Sequence, residues 1–167
     1  MKALYLLLMI LVTPDFSATP PDQKPNVTEE EKQMLLERHN YWRAQVGLSP
    51  LVWSDEMAQL ADDWAKQLAT TGCGFKHRPN NRFGENLFRG TAGYYTAADA
   101  VDAWGEEKKD YSYDTNKCNS GAVCGHYTQI VWKNTTKVGC AKSECNGNVT
   151  WVCNYDPPGN YVGQKPY

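Results

Sequence analysis

Apolar positions recur at helical spacing through the first two thirds of the chain and alternate near its end. In the earliest stripe, Met34, Leu35, Trp42 and Val46 fall with Arg38 along one side, as a period of about 3.6 residues requires. Thr28-Glu29-Glu30-Glu31 stands before it in the order of a capping box, where a Thr hydroxyl and a Glu carboxylate satisfy each other's backbone N–H. Gly47 suits the left-handed residue after a helix, so the pattern predicts a helix opened by Thr28 and running to Val46. In the next stripe Met57, Leu60, Ala61, Trp64, Ala65 and Leu68 keep the period, and Asp62, Asp63 and Lys66 take the outer face. Ser54 is its predicted cap and Gly72 its end, and the stripe reads as core. Thr96, with Asp99 as capping partner, opens a third helix whose buried stripe is Ala97, Ala100, Val101 and Trp104. At about 100° per residue, Glu107 falls on the edge of that stripe one turn past Trp104, and Glu106 points nearly the other way. An inward Glu107 and a solvated Glu106 are expected.

The period then changes. Val149 to Tyr155 alternates and is rich in β-branched and aromatic residues, which predicts a strand. Val138 to Lys142 reads as a shorter one, and Asn146-Gly147 between them is a hairpin signal. On pattern alone, His126 to Trp132 suits a strand. No internal repeat or low-complexity segment interrupts the chain.

The first residues change the expected compartment. Lys2 precedes an apolar run from Leu4 to Val12 that Pro14 and Asp15 end, far short of the ~20 residues a membrane span needs. This reads as a secretory signal over residues 1–18, followed by a proline-bearing leader over 19–27 and one folded domain over 28–167. An extracellular, secreted monomer without a transmembrane segment is expected. The six cysteines are even in number, which in an oxidising compartment implies a disulfide framework. No paired C-x-x-C spacing supports a zinc finger. A net charge of −2 gives no reason to expect nucleic acid or anionic lipid as the main partner. Asn26, Asn134 and Asn148 each begin an N-x-Thr sequon, the acceptor pattern for glycosylation in a eukaryotic host.

Two strings are more specific than any of these. Gly125-His126-Tyr127-Thr128-Gln129-Ile130-Val131-Trp132 follows Cys124 and precedes Val138-Gly139-Cys140-Ala141; Cys153-Asn154-Tyr155-Asp156-Pro157-Pro158-Gly159-Asn160-Tyr161 lies near the end. Both resemble signatures of the CAP superfamily, the cysteine-rich secretory, antigen-5 and pathogenesis-related class 1 proteins, in particular its plant class 1 members. His39-Asn40 with Arg43, and Gly84-Glu85-Asn86-Leu87, add to the likeness. The resemblance implies an α+β fold, a three-layer α/β/α sandwich with an antiparallel central sheet and three disulfides. It implies a short helix rather than a strand at His126 to Trp132, and the pairings Cys118–Cys124, Cys140–Cys153 and Cys73–Cys145.

Carried over residue by residue, the resemblance also implies a cleft tetrad of His77, Glu85, Glu107 and His126. Imidazoles and a carboxylate suit Zn²⁺ or another divalent cation with water in an open position, and such a site can activate water for hydrolysis. Without metal, Glu85 or Glu107 would be the base. No Ser or Cys nucleophile stands beside either histidine, and Arg78 occupies the place where many members have Ser, so a non-enzymatic role is the expectation. An inward Arg78 guanidinium would weaken a cation site; an outward one would not. The third histidine, His39, reads as a buried structural residue.

Two surfaces remain. Phe88, Tyr94 and Tyr95 surround Gly90 and Gly93, and a glycine-hinged aromatic loop offers flat apolar contact area. The resemblance places sterol or fatty-acid-like ligands there, in a defence or host-interaction setting that could include an extracellular receptor. The segment after Asp156 resembles a peptide that plant members release as a signal, cut at Asp156–Pro157. No cysteine-rich extension like that of venom and sperm members follows Tyr167, so an ion-channel toxin is not expected.

Overall fold

The computed structural model describes residues 24–167; the expected signal and most of the leader lie outside the described residues. Helix α1 (Glu29–Ala44) starts on the predicted capping box: Glu31 N donates to Thr28 Oγ1 at 3.1 Å and Thr28 N to Glu31 Oε2 at 2.9 Å. It ends two residues before Val46, because the N–H groups of Val46 and Leu48 turn back onto Arg43 O and that of Gly47 onto Ala44 O. Gly47 is left-handed, φ 71°, as its place after the helix requires. Strand β1 (Val52–Trp53) leads to α2 (Asp55–Thr70), capped by Ser54 through its bond from Met57 N.

Strand β2 (Gly84–Thr91) was not legible in the periodicity, since polar Glu85, Asn86 and Arg89 interrupt its apolar positions. Its register with a later strand fixes it. Helix α3 (Ala97–Gly105) carries the Thr96–Asp99 capping box and runs into a 3₁₀ turn, Glu106–Asp110. A Cβ on Gly105 would lie 2.0 Å from the Trp42 indole, so glycine is what lets α1 and α3 approach here. A small ribbon follows, β3 (Tyr111–Ser112) with β4 (Lys117–Cys118). Then α4 (Gly125–Ile130) forms in place of the strand that pattern alone suggests. The predicted hairpin is β5 (Lys137–Cys145) and β6 (Asn148–Asp156), turned by left-handed Asn146 and Gly147.

The sheet order is β1-β5-β6-β2. It is antiparallel, as expected, through β5, β6 and β2, with the two-residue β1 added parallel to β5 over Val52 and Trp53. Strand alternation splits β6 between two cores. Val149, Trp151, Cys153 and Tyr155 face Leu35, Val101, Trp104 and Ile130 of α1, α3 and α4. Val152, with Ala141 and Leu87, faces Ala61, Trp64, Ala65 and Leu68 of α2. Helices on both faces of one sheet make the three-layer sandwich. Gly139 lets the start of α2 lie against β5, since a Cβ there would meet Ala58 N at 2.2 Å. Disulfides join Cys73 to Cys145, Cys118 to Cys124 and Cys140 to Cys153. Among the described residues, no helix is long and apolar enough to cross a membrane.

Candidate functional site

Helix α4 has no side-chain cap at Cys124, so its first N–H groups need another partner. Glu107 supplies it. Its Oε2 accepts from His126 N at 3.0 Å and Tyr127 N at 3.1 Å, and its Oε1 lies 2.6 Å from His126 Nδ1. The carboxylate thus holds both ends of one histidine residue, backbone and ring. Because it accepts, Nδ1 carries the proton and Nε2 is left for another partner. The Trp104 ring stacks on the imidazole, centroids 6.1 Å apart, and Asn86 Nδ2 donates to His126 O at 3.1 Å. The sequence placed Glu107 inward by extending an α-helix. It does face inward, but from the 3₁₀ turn, and Glu106 is exposed.

The second pair is held differently. Glu85 on β2 is 4% exposed and its Oε1 lies 2.7 Å from Nδ1 of His77, whose side chain is 65% exposed. The same oxygen accepts from Arg78 N at 3.0 Å, and Oε2 faces Asn81 Nδ2 at 3.4 Å. Glu85 therefore ties down the segment from His77 to Asn81. Its hydrogen bond to the imidazole raises the His77 pKa above the ordinary 6.5. The Arg78 guanidinium turns to α2, where Nη1 donates to Leu60 O at 3.2 Å.

The four tetrad residues stand as two His–Glu pairs, one built on Glu85 of β2 and the other braced by its neighbour Asn86. Among the described residues, no group of three or more His, Cys, Asp or Glu gathers as a metal-holding cluster. A buried network behind His126 escaped the sequence reading. His39 Nδ1 donates to Leu35 O at 2.7 Å and its Nε2 accepts from Tyr155 Oη at 2.8 Å, while Asn86 Nδ2 donates to the same Tyr155 oxygen at 3.1 Å. His39 is fully buried, and burial pulls its pKa down from 6.5 to about 4. That His39 is structural was legible; its partners were not, because they lie far away along the chain.

The aromatic segment is only partly a loop. Phe88 lies within β2, opposite Trp151 of β6, because its backbone completes the ladder. Tyr94 and Tyr95 follow in the turn and are 75% and 40% exposed. Tyr95 packs edge-on to Phe88 with centroids 5.3 Å apart and covers Gly90, where a Cβ would strike its ring at 2.3 Å. Beside it lies a hollow of about 410 Å³ lined by Met34, Tyr95, Val149 and Trp151, with Glu30, Glu31, Lys142 and Glu144 about it. Trp151 is 1% exposed and its indole N–H has no partner among the described residues.

The tail after Asp156 is tied to α4 and its flanks. Gly159 N donates to buried Gln129 Oε1 at 2.9 Å, Thr128 Oγ1 to Asn160 Oδ1 at 2.7 Å, and Lys133 N to Pro166 O at 2.6 Å. Tyr167 stacks on Tyr113, centroids 4.6 Å apart. Of the sequon asparagines, Asn26 and Asn134 are exposed; Asn148 is half-buried in β6.

Residues 36–155 match the family model described as "Cysteine-rich secretory protein family", CAP. Pathogenesis-related protein 1A of Nicotiana tabacum is 48% identical over 140 residues, 83% of this chain and 82% of that protein. Pathogenesis-related protein PR-1 of Medicago truncatula is 42% identical over 167 residues, 99% and 95% of the two chains. Among solved structures, that of NaASP2 with Zn²⁺ superposes with a TM-score of 0.70 at 29% identity, covering 88% of each chain.

Proposed function

Because this chain belongs to the CAP family of cysteine-rich secretory proteins, we propose that it acts outside the cell in defence or host interaction by binding a sterol or related lipid. The observation that carries this reading is the hollow beside Tyr95. Its lining joins an apolar wall, Met34, Val149 and Trp151, to an aromatic lip that is exposed. Glu30 and Glu144 at the rim have no basic partner among the described residues, whereas Glu31 is paired with Lys142 at 2.5 Å. That charge favours a neutral alcohol head over a carboxylate. The similarity to pathogenesis-related proteins of tobacco and Medicago supports the defence setting. Exposed Asn26 and Asn134 are the sequon sites we assign to glycosylation.

The test is saturable binding of labelled cholesterol by the oxidised mature protein, with a fatty acid as competitor. The proposal expects binding that Tyr95→Ala weakens about tenfold or more and that the fatty acid displaces poorly. No saturable binding would sink it.

A second reading, a divalent cation in the tetrad cleft, draws on one observation. Both histidines spend Nδ1 on a carboxylate, the arrangement that orients a metal-ligating imidazole, and the similar NaASP2 structure is named with Zn²⁺. The donor types suit zinc. The described residues nevertheless offer two imidazole nitrogens and no gathered third donor, fewer than the three or four protein ligands usual for zinc. Calorimetry with zinc chloride is expected to show weak binding, lost in His126→Ala; tight binding would favour this reading as the main one.

A further inference from the structure

A second hollow, of about 540 Å³, opens between α2 and the segment that leads into β2, lined by Glu56, Leu60, Arg78, Asn81, Arg82 and Phe83 among others. Neither arginine has a carboxylate within ion-pair distance among the described residues, although Arg38 is paired with Asp102 at 2.6 Å. Arg78 uses one N–H, to Leu60 O. Arg82 is exposed, makes no side-chain hydrogen bond with the described residues, and lies over the Phe83 ring at 4.7 Å. Two guanidiniums therefore keep most of their fork of N–H donors free beside the apolar surface of Leu60 and Phe83.

The segment that carries them is anchored. Arg78 N and Asn81 Nδ2 both reach the carboxylate of buried Glu85, and Asn81 Oδ1 accepts from Phe83 N at 3.1 Å. Asn80 turns the chain between them in the left-handed region, φ 56°. With the backbone held in this way, little ordering is left to oppose binding. Glu56 is the one acidic side chain in the lining, against two arginines, so the hollow is net positive in a chain whose overall charge is −2.

We propose that this hollow is a binding site for a small amphiphile that carries an oxyanion, a carboxylate or a phosphate ester, on a short apolar body. The planar guanidinium fork matches both oxyanions bidentately, and Leu60 and Phe83 take the body. The site is separate from the Tyr95 hollow, and its preference for an anionic head is the reverse of the neutral-alcohol preference argued there.

The experiment is calorimetric titration of the mature protein with octyl phosphate, octanoate and 1-octanol, each below its aggregation limit. One or both anions should saturate a site that Tyr95→Ala leaves intact, and 1-octanol should bind at least tenfold more weakly. Whichever anion is tighter identifies the natural head as phosphate ester or carboxylate. Arg82→Gln, which removes no hydrogen bond or ion pair with the described residues, should weaken the anion at least fivefold with the melting temperature little changed, and Arg78→Gln, which also loses the bond to Leu60 O, should weaken it by a similar factor. Equal binding of the alcohol and the anions, binding indifferent to both arginines, or no saturable binding of either anion would overturn the proposal.

Discussion

The two His–Glu pairs are made of the same residue types at nearly the same Nδ1–carboxylate distance, 2.6 Å and 2.7 Å, yet they are built in opposite ways. At His126 both partners are mostly covered, 26% and 16% exposed, and the carboxylate also closes the first turn of α4. At His77 the glutamate is buried but the imidazole stands in solvent, and the carboxylate closes a loop. In each the glutamate does the structural work, and the histidine is the part that differs. Both carboxylates are spent on backbone N–H groups.

The largest effect should come from Glu107→Ala. It strips two backbone N–H groups and one imidazole of their acceptor, and charge-assisted bonds and orphaned donors each cost about 1–3 kcal/mol. Chemical denaturation should show a loss of about 3 kcal/mol or more. A loss under about 1 kcal/mol would mean that α4 caps itself.

Next is the acid limb of stability. His39, which shares Tyr155 with Asn86 behind His126, has a folded pKa of about 4 against 6.5 when free. Between those values the unfolded chain binds the proton and the folded one does not, so stability is complete above about pH 6.5 and falls as pH drops toward 4. The fall is on the order of 3 kcal/mol. His39→Gln should flatten that part of the curve, measured as denaturation midpoint against pH.

Glu85→Gln should cost less, about 1–2 kcal/mol, because the amide oxygen still accepts from Arg78 N. Hydrogen exchange should quicken over residues 77–81 and not at α4. Smallest is His77→Ala, expected under about 1 kcal/mol because the imidazole is 65% exposed and Glu85 keeps its backbone donor Arg78 N. Its pH dependence has the reverse sign: the folded pKa is raised by Glu85, so the stabilisation is complete below about pH 6.5 and is lost as pH rises through the raised value. A titration of the imidazole by NMR that gave a value below 6.5 would break this half of the comparison.

Much of this architecture was legible before any coordinates. Thr28, Ser54 and Thr96 announce their helices because capping is local chemistry, and the α2 stripe from Met57 to Leu68 announces its face because periodicity survives in sequence. Strand β2 was hidden because it is defined by partners about 57 to 71 residues away, Thr91 opposite Asn148 and Gly84 opposite Tyr155. For the same reason the local pattern places Phe88 in a loop. Pattern alone also misread α4, whose alternation is overridden by Glu107 binding its first turn. The tetrad residues came from a family likeness, and their division into two pairs could not, since that depends on which carboxylate reaches which imidazole. The Trp151 indole and the His39–Tyr155–Asn86 network are contacts between layers, which no local pattern encodes.

We propose that sterol binding belongs to the Tyr95 hollow and not to the histidine pairs. The most direct measurement is labelled-cholesterol affinity for the mature protein, for Tyr95→Ala and for His77→Ala, each with and without chelator. The account predicts that binding survives chelation and His77→Ala and falls about tenfold or more in Tyr95→Ala. Binding that is abolished by chelator or by His77→Ala and is indifferent to Tyr95→Ala would contradict it.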